Sequence, residues 1–157
     1  MLYIHIIACG RLRKGPEYDL ISDYLDRYER TGRNLGLGPV SMTEVEDKRG
    51  IGMAAEGKLL RKAIPKKAVK IIMDERGKLL SSVDFSQKLS FWRDTGVQDV
   101  AILIGGADGL DPSLRAEADF TLSFGKMVWP HKLARVMLSE QLFRAASILG
   151  NTPYHRL

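Results

Sequence analysis

Four short stretches of this sequence carry residue types that can do chemistry. The first is Gly105-Gly106-Ala107-Asp108-Gly109. Glycine permits positive φ and lets a ligand come close to the main chain. The run lacks the Gly-x-Gly-x-x-Gly spacing of a dinucleotide fingerprint, and no Gly-x-x-x-x-Gly-Lys-Ser/Thr phosphate loop occurs. Nicotinamide-dependent redox chemistry is therefore disfavoured, and a turn without any ligand is the plainer alternative. The second stretch is Trp129-Pro130-His131, where an imidazole falls in the first turn of an expected helix. The positive end of the helix dipole disfavours a cation there, so His131 reads as a neutral hydrogen-bonding residue rather than a metal ligand. The third is Glu140 and Arg144, four apart with the acid first, the favourable order for a helical ion pair. It is either a surface pair or a device that presents arginine to phosphate. The fourth, Pro153-Tyr154-His155-Arg156, puts a stacking ring, a proton carrier and a phosphate binder side by side near the chain end.

The frame that must position these groups is globular. The chain has 157 residues, 45% hydrophobic and 27% charged, which excludes a wholly disordered polypeptide. Cys9 is the single cysteine, so an internal disulfide and a multi-cysteine metal site are both excluded. His5, His131 and His155 are too scattered for a metal motif. No apolar run approaches the ~20 residues that span a bilayer. Residues 1–9 are apolar and precede Arg11, Arg13 and Lys14, the reverse of a secretory signal. With one unpaired cysteine, a cytoplasmic location is expected. The net charge of +5 is spread along the chain. One stretch stands out: Lys58, Arg61, Lys62, Lys66, Lys67 and Lys70, with no acid between Gly57 and Met73. Such a stripe either attracts a polyanion or is a solvated helix face.

Strands and helices alternate. Leu2, Ile4, Ile6 and Ala8 alternate while Ile7 fills the other face, which predicts a strand covered on both sides. Pro16 suits a first helical turn, and Leu20, Ile21, Tyr24, Leu25 and Tyr28 follow at helical spacing, with Gly32 as the expected stop. A strand is expected near 39–45 and a helix near 52–62. Residues 68–73 read as a buried strand ending at Asp74-Glu75-Arg76-Gly77. Ser82 or Asp84 is the expected cap of the next helix, which Gly96 closes. Val100 to Ile104 is the clearest strand. Asp111-Pro112 is an N-cap followed by proline at the first helical position. Phe120, Leu122 and Phe124 alternate; residues 131–149 form a long helix with Leu138, Leu142, Ala145 and Leu149 on its apolar face; 151–157 are a tail. The order predicts one α/β domain over residues 1–157, a mostly parallel sheet with helices on both faces. Ligands of such sheets bind where strand ends lead into loops, here 74–78, 105–111 and 125–130.

Four linked motifs add to this reading. They are 103–110 (Leu-Ile-Gly-Gly-Ala-Asp-Gly-Leu), 130–136 (Pro-His-Lys-Leu-Ala-Arg-Val), 140–145 (Glu-Gln-Leu-Phe-Arg-Ala) and 153–156 (Pro-Tyr-His-Arg). Together they resemble the RlmH (YbeA) family of small SPOUT-class RNA methyltransferases, and the resemblance covers the whole chain. It implies a SPOUT-like fold with a C-terminal trefoil knot and a homodimer. It also implies S-adenosyl-L-methionine-dependent methylation of N3 of a pseudouridine in a 23S rRNA hairpin loop, on assembled ribosomes. By position, the cofactor site maps onto Met73, Gly105, Gly106, Gly125, Lys126, Met127, Val128, Trp129 and Pro130. Glu140, Arg144, Tyr154, His155 and Arg156 map onto the residues implicated in RNA handling or catalysis, and His155 is the candidate base. No metal is implied. Two departures are visible: the family's Gly-Gly-Pro-Glu-Gly is Gly-Gly-Ala-Asp-Gly here, and Met73 stands where leucine is common. The competing reading is an α/β protein that binds rRNA without chemistry.

Overall fold

The computed structural model describes residues 1–46 and 52–156. The elements run β1 (Leu2–Cys9), α1 (Pro16–Gly32), β2 (Leu37–Val45), α2 (Met53–Ala63), β3 (Val69–Leu79), α3 (Ser82–Asp94), β4 (Asp99–Ile104), α4 (Pro112–Ala116), β5 (Phe120–Ser123) and α5 (His131–Leu149). The five strands form one sheet of order β2-β1-β4-β3-β5, and every pairing is parallel. Parallel strands need crossovers, and the helices supply them.

Leu2, Ile4, Ile6 and Ala8 of β1 pack with Tyr28 of α1, Phe85 and Leu89 of α3, and Leu138 and Leu142 of α5. Ile7 and Cys9 face the other way, onto Leu60 of α2 and Leu114 of α4. Both faces are covered, as the continuous apolar runs of β1 and β4 require. No described helix is long and apolar enough to cross a membrane.

Two local expectations change, and a third is met by a different device. The charged run after Met73 does not end β3. The strand continues to Leu79, with a register shift between Met73 and Lys78 opposite Leu122. Gly77 explains the continuation, since a Cβ there would lie 2.7 Å from the Thr121 backbone. Asp74 to Gly77 are thus a bulge inside a strand. Gly32 does end α1, as expected, but without left-handed backbone. It is helical, and a Cβ on it would lie 2.9 Å from Leu37; one 3-10 turn follows, and Gly36 (φ 75°) makes the reversal. The cap of α3 is Ser81, whose hydroxyl accepts from the Asp84 N–H at 3.0 Å. Leu157 of the expected tail lies outside the described residues.

One buried charge has no hydrophobic-pattern signal. Arg135 of α5 is fully inaccessible to solvent. Its Nη1 donates to Glu44 of β2 at 2.8 Å, and its Nη2 donates to the carbonyls of Cys9 and Gly10 at 2.8 and 2.6 Å. The same Glu44 oxygen accepts the Leu12 N–H. One guanidinium therefore fastens α5 to the carboxyl ends of two neighbouring strands. Removing one partner of a buried pair leaves the other charge and two carbonyls unanswered. Arg135→Met is expected to cost about 3 kcal/mol in urea unfolding, with an unchanged m-value.

Candidate active site

The loops after β4 and β5 and the β3 bulge meet at the carboxyl end of the sheet. They enclose a crevice of about 600 Å³. Its walls include Met73, Gly105, Gly106, Gly125, Met127, Val128, Trp129 and Pro130. Of the mapped cofactor positions, only Lys126 is not on the wall. The crevice also takes in Asp74, Glu75, Arg76 and Asp108 from the loops expected to bind, His131 at the start of α5, and Ala134, which spacing alone did not single out.

The Gly105 to Leu110 loop is held by its own backbone. Gly109 N–H donates to the Gly106 carbonyl at 3.0 Å, and Gly109 has φ 81°. A Cβ on Gly105 would lie 2.6 Å from the Gly109 carbonyl carbon. Gly105 is therefore required by the turn itself, before any ligand. The absence of the family's proline at Ala107 leaves that backbone bond in place.

Ser123, buried at the end of β5, ties two walls together. Its oxygen lies 3.1 Å from the Glu75 carbonyl and 2.8 Å from the Gly125 carbonyl, and it accepts the Gly125 N–H at 3.0 Å. Beyond Gly125 the chain exposes apolar side chains: Met127 is 75% and Val128 79% accessible. These two with Trp129 offer an unfilled surface to a flat apolar group.

Charges around the crevice are settled. Asp74 is held below the usual carboxylate range, first by its hydrogen bonds from Arg76 at 2.9 and 2.8 Å, and further by Arg115. Burial pushes the Cys9 thiol up to about 12, and a hydrogen bond with Glu56 adds to this; it is no nucleophile. His131 is held below its ordinary value, mainly by burial and then by the charges of Arg135 and Lys132. This agrees with the neutral imidazole expected at a helix start.

Four of the five residues mapped onto RNA handling or catalysis form one cluster, away from the crevice walls. Glu140 Oε1 accepts from Arg144 Nε and Nη2 at 2.9 and 2.6 Å and from the Tyr154 hydroxyl at 2.9 Å. The Tyr154 ring packs on Phe143 at 4.5 Å and under the Arg144 guanidinium at 4.7 Å, which fixes the tail on α5. Arg144 Nη1 meets His155 Nδ1 at 3.1 Å. Arginine can only donate, so Nδ1 accepts and Nε2 carries the hydrogen. In this arrangement His155 offers a donor to whatever approaches it, whereas action as a base requires that bond to break. Burial, with Glu140 adding, pushes Tyr154 up to about 12, so it keeps its proton. Arg156 is exposed and has no partner among the described residues.

A second, more apolar cavity of about 460 Å³ lies between cluster and crevice. It reaches Glu140 and Gln141 and shares Leu122, Phe124 and Gly125 with the crevice.

Residues 2–155 match the family model described as "Predicted SPOUT methyltransferase". The chain belongs to the SPOUT methyltransferase family. This SPOUT chain is 65% identical over 154 residues to the protein named Ribosomal RNA large subunit methyltransferase H of Ruegeria pomeroyi, covering 98% of this chain and 99% of the relative. It is also 65% identical over 153 residues to the protein of the same name from Roseobacter denitrificans, covering 98% of each. Among solved structures, the SpoU methyltransferase AviRb of Streptomyces viridochromogenes, in complex with AdoMet, matches with a TM-score of 0.43 and 15% identity, over 89% of this chain and 56% of that one.

The lowered His131 gives a pH signature in this SPOUT methyltransferase. The unfolded chain binds a proton near 6.5 and the folded chain only at lower pH. The stability is complete above 6.5 and falls as pH drops through that value toward the folded one. Asp74, with an ordinary value of 3.8, contributes its loss only further down. Thermal melts are expected to show a fall beginning near 6.5 that His131→Gln flattens.

Proposed function

We propose that this methyltransferase uses S-adenosyl-L-methionine to methylate N3 of a pseudouridine in a 23S rRNA hairpin loop, on assembled ribosomes. The observation that carries the reading is the crevice itself. The three segments onto which the family's cofactor site maps, at Met73, Gly105-Gly106 and Gly125 to Pro130, converge on it, in a chain 65% identical to a ribosomal RNA large subunit methyltransferase.

The crevice suits the cofactor. Its volume is that of a small-ligand site. Gly105, Gly106 and Gly125 bring main chain to its surface, and Met127, Val128 and Trp129 offer apolar contact for an adenine. Glu75 and Asp108 set negative charge around a cationic ligand, while the charge of Asp74 is answered by Arg76 on the same wall. When bound, S-adenosyl-L-methionine supplies a sulfonium-borne methyl group for in-line displacement, where alignment is the main requirement.

Loss of the N3 proton to solvent water builds negative charge on the target ring, and transfer of the methyl leaves the donor sulfur as a neutral thioether. Arg144, locked by Glu140, presents a fixed cation to that charge, and His155 donates from Nε2. Arg156, unpaired among the described residues, holds a phosphate. We further propose one SPOUT domain over residues 1–157, a cytoplasmic homodimer, and a C-terminal trefoil knot. The separation of the Glu140 cluster from the crevice supports the dimer: the tail of one protomer would face the cofactor of the other.

Transfer of labelled methyl to purified ribosomes lacking the mark tests the reading, with free rRNA as comparison. Ribosomes are expected to be labelled and free rRNA not; a protein that binds ribosomes but transfers nothing would be the non-enzymatic binder. Arg144→Ala is expected to lower kcat about 100-fold, the scale of one oriented charge-stabilising donor, while cofactor Kd is unchanged.

A further inference from the structure

The stripe from Lys58 to Lys70 lies outside both cavities and outside the Glu140 cluster. Its residues do not behave alike. Arg61 is paired with Glu117 at 3.0 Å, and the Lys70 backbone N–H bonds Asp119. Lys58, Lys62, Lys66 and Lys67 are exposed, and none is in an ion pair among the described residues.

Three of these lysines sit where local physics does not favour them. Lys58 and Lys62 are four apart on α2, a like-charge pair that weakens a helix. The helix dipole compensates only at the carboxyl end. Lys67 is the clearer case. It is the third residue of a turn closed by the Ala68 N–H on the Pro65 carbonyl at 3.2 Å, and its φ is 62°. That position of such a turn asks for glycine. A long charged side chain held in left-handed backbone points to a use for the charge rather than for the turn.

The placement says which use. Glu56, near the start of α2, lies beside Gly106, so α2 begins at the crevice end of the sheet. The turn at Lys67 leads into the start of β3, at the opposite end. Six residues from Lys67 to Met73, at about 3.3 Å each, put the two ends about 20 Å apart. The lysines thus form a track down one flank that starts near the crevice end at Lys58 and runs to Lys66 and Lys67, which lie too far away to touch the reacting base.

We infer that Lys58, Lys62, Lys66 and Lys67 form a docking track for the phosphodiester backbone of rRNA that leads away from the target nucleotide. This rests on the rRNA reading above and adds a second contact surface to it. The track supplies sequence-independent affinity and leaves the chemical step alone.

The test compares wild type, K62Q/K66Q/K67Q and K67G by ribosome co-sedimentation across a salt series and by methyl transfer with saturating cofactor. The triple variant is expected to raise KM for ribosomes about tenfold at unchanged kcat, and to reduce the log–log salt slope of binding by about two. K67G is expected to melt above wild type and still to bind ribosomes more weakly. Wild-type salt slope and KM in the triple variant would overturn the track, as would a fall in kcat alone. K67G melting below wild type would overturn the argument from backbone strain. If wild type transfers no methyl but loses ribosome binding through these substitutions, the track stands and the enzymatic reading falls.

Discussion

The fold's functional end depends on one desolvated guanidinium. A parallel sheet leaves the carboxyl ends of its strands with carbonyls that have no further ladder to join. Arg135 reaches down from α5 and satisfies two of them, at Cys9 and Gly10, while pairing with Glu44 on the neighbouring strand. A charge taken wholly out of water is tolerable only with this degree of compensation. The same bonds fix where α5 starts, and so where His131 and Pro130 stand against the crevice. The helix also carries Glu140 and Arg144. One side chain therefore sets the origin from which both halves of the site are measured.

Much of the frame was legible because a doubly covered parallel sheet writes itself as unbroken apolar runs between helical periodicities. Residues 2–8 and 100–104 could hardly be anything else. What patterning misread has a common cause: glycine and charge look the same in a turn and in a tight packing contact. Gly77 and Gly32 are there because a neighbour sits where their Cβ would be. Asp74-Glu75-Arg76 is polar because it bulges out of its ladder, not because the strand has ended. Arg135 was invisible for the opposite reason, since a buried arginine on an apolar face has no periodic signature.

The site was legible in pieces. The glycine loop and the segment from Gly125 to Pro130 were read from their place after strands, and they do meet. The Glu140–Arg144 pair was read from spacing, but not the tail folding back so that Tyr154 and His155 join it. That return needs a ring stacked on Phe143 and a hydroxyl on Glu140, contacts between residues 11 to 14 apart in sequence that no local rule supplies. Asp74, Glu75 and Asp108 lay in loops marked as ligand-binding, but that they line one crevice came only with three dimensions.

Ser123 has a mechanical implication. Its single hydroxyl joins the β3 bulge at Glu75 to the entry of the segment that follows at Gly125. Floor and doorpost are thereby one rigid piece. The segment beyond starts from that fixed edge at a glycine whose φ of 128° few other residues would adopt, and it turns the apolar side chains of Met127 and Val128 outward into water.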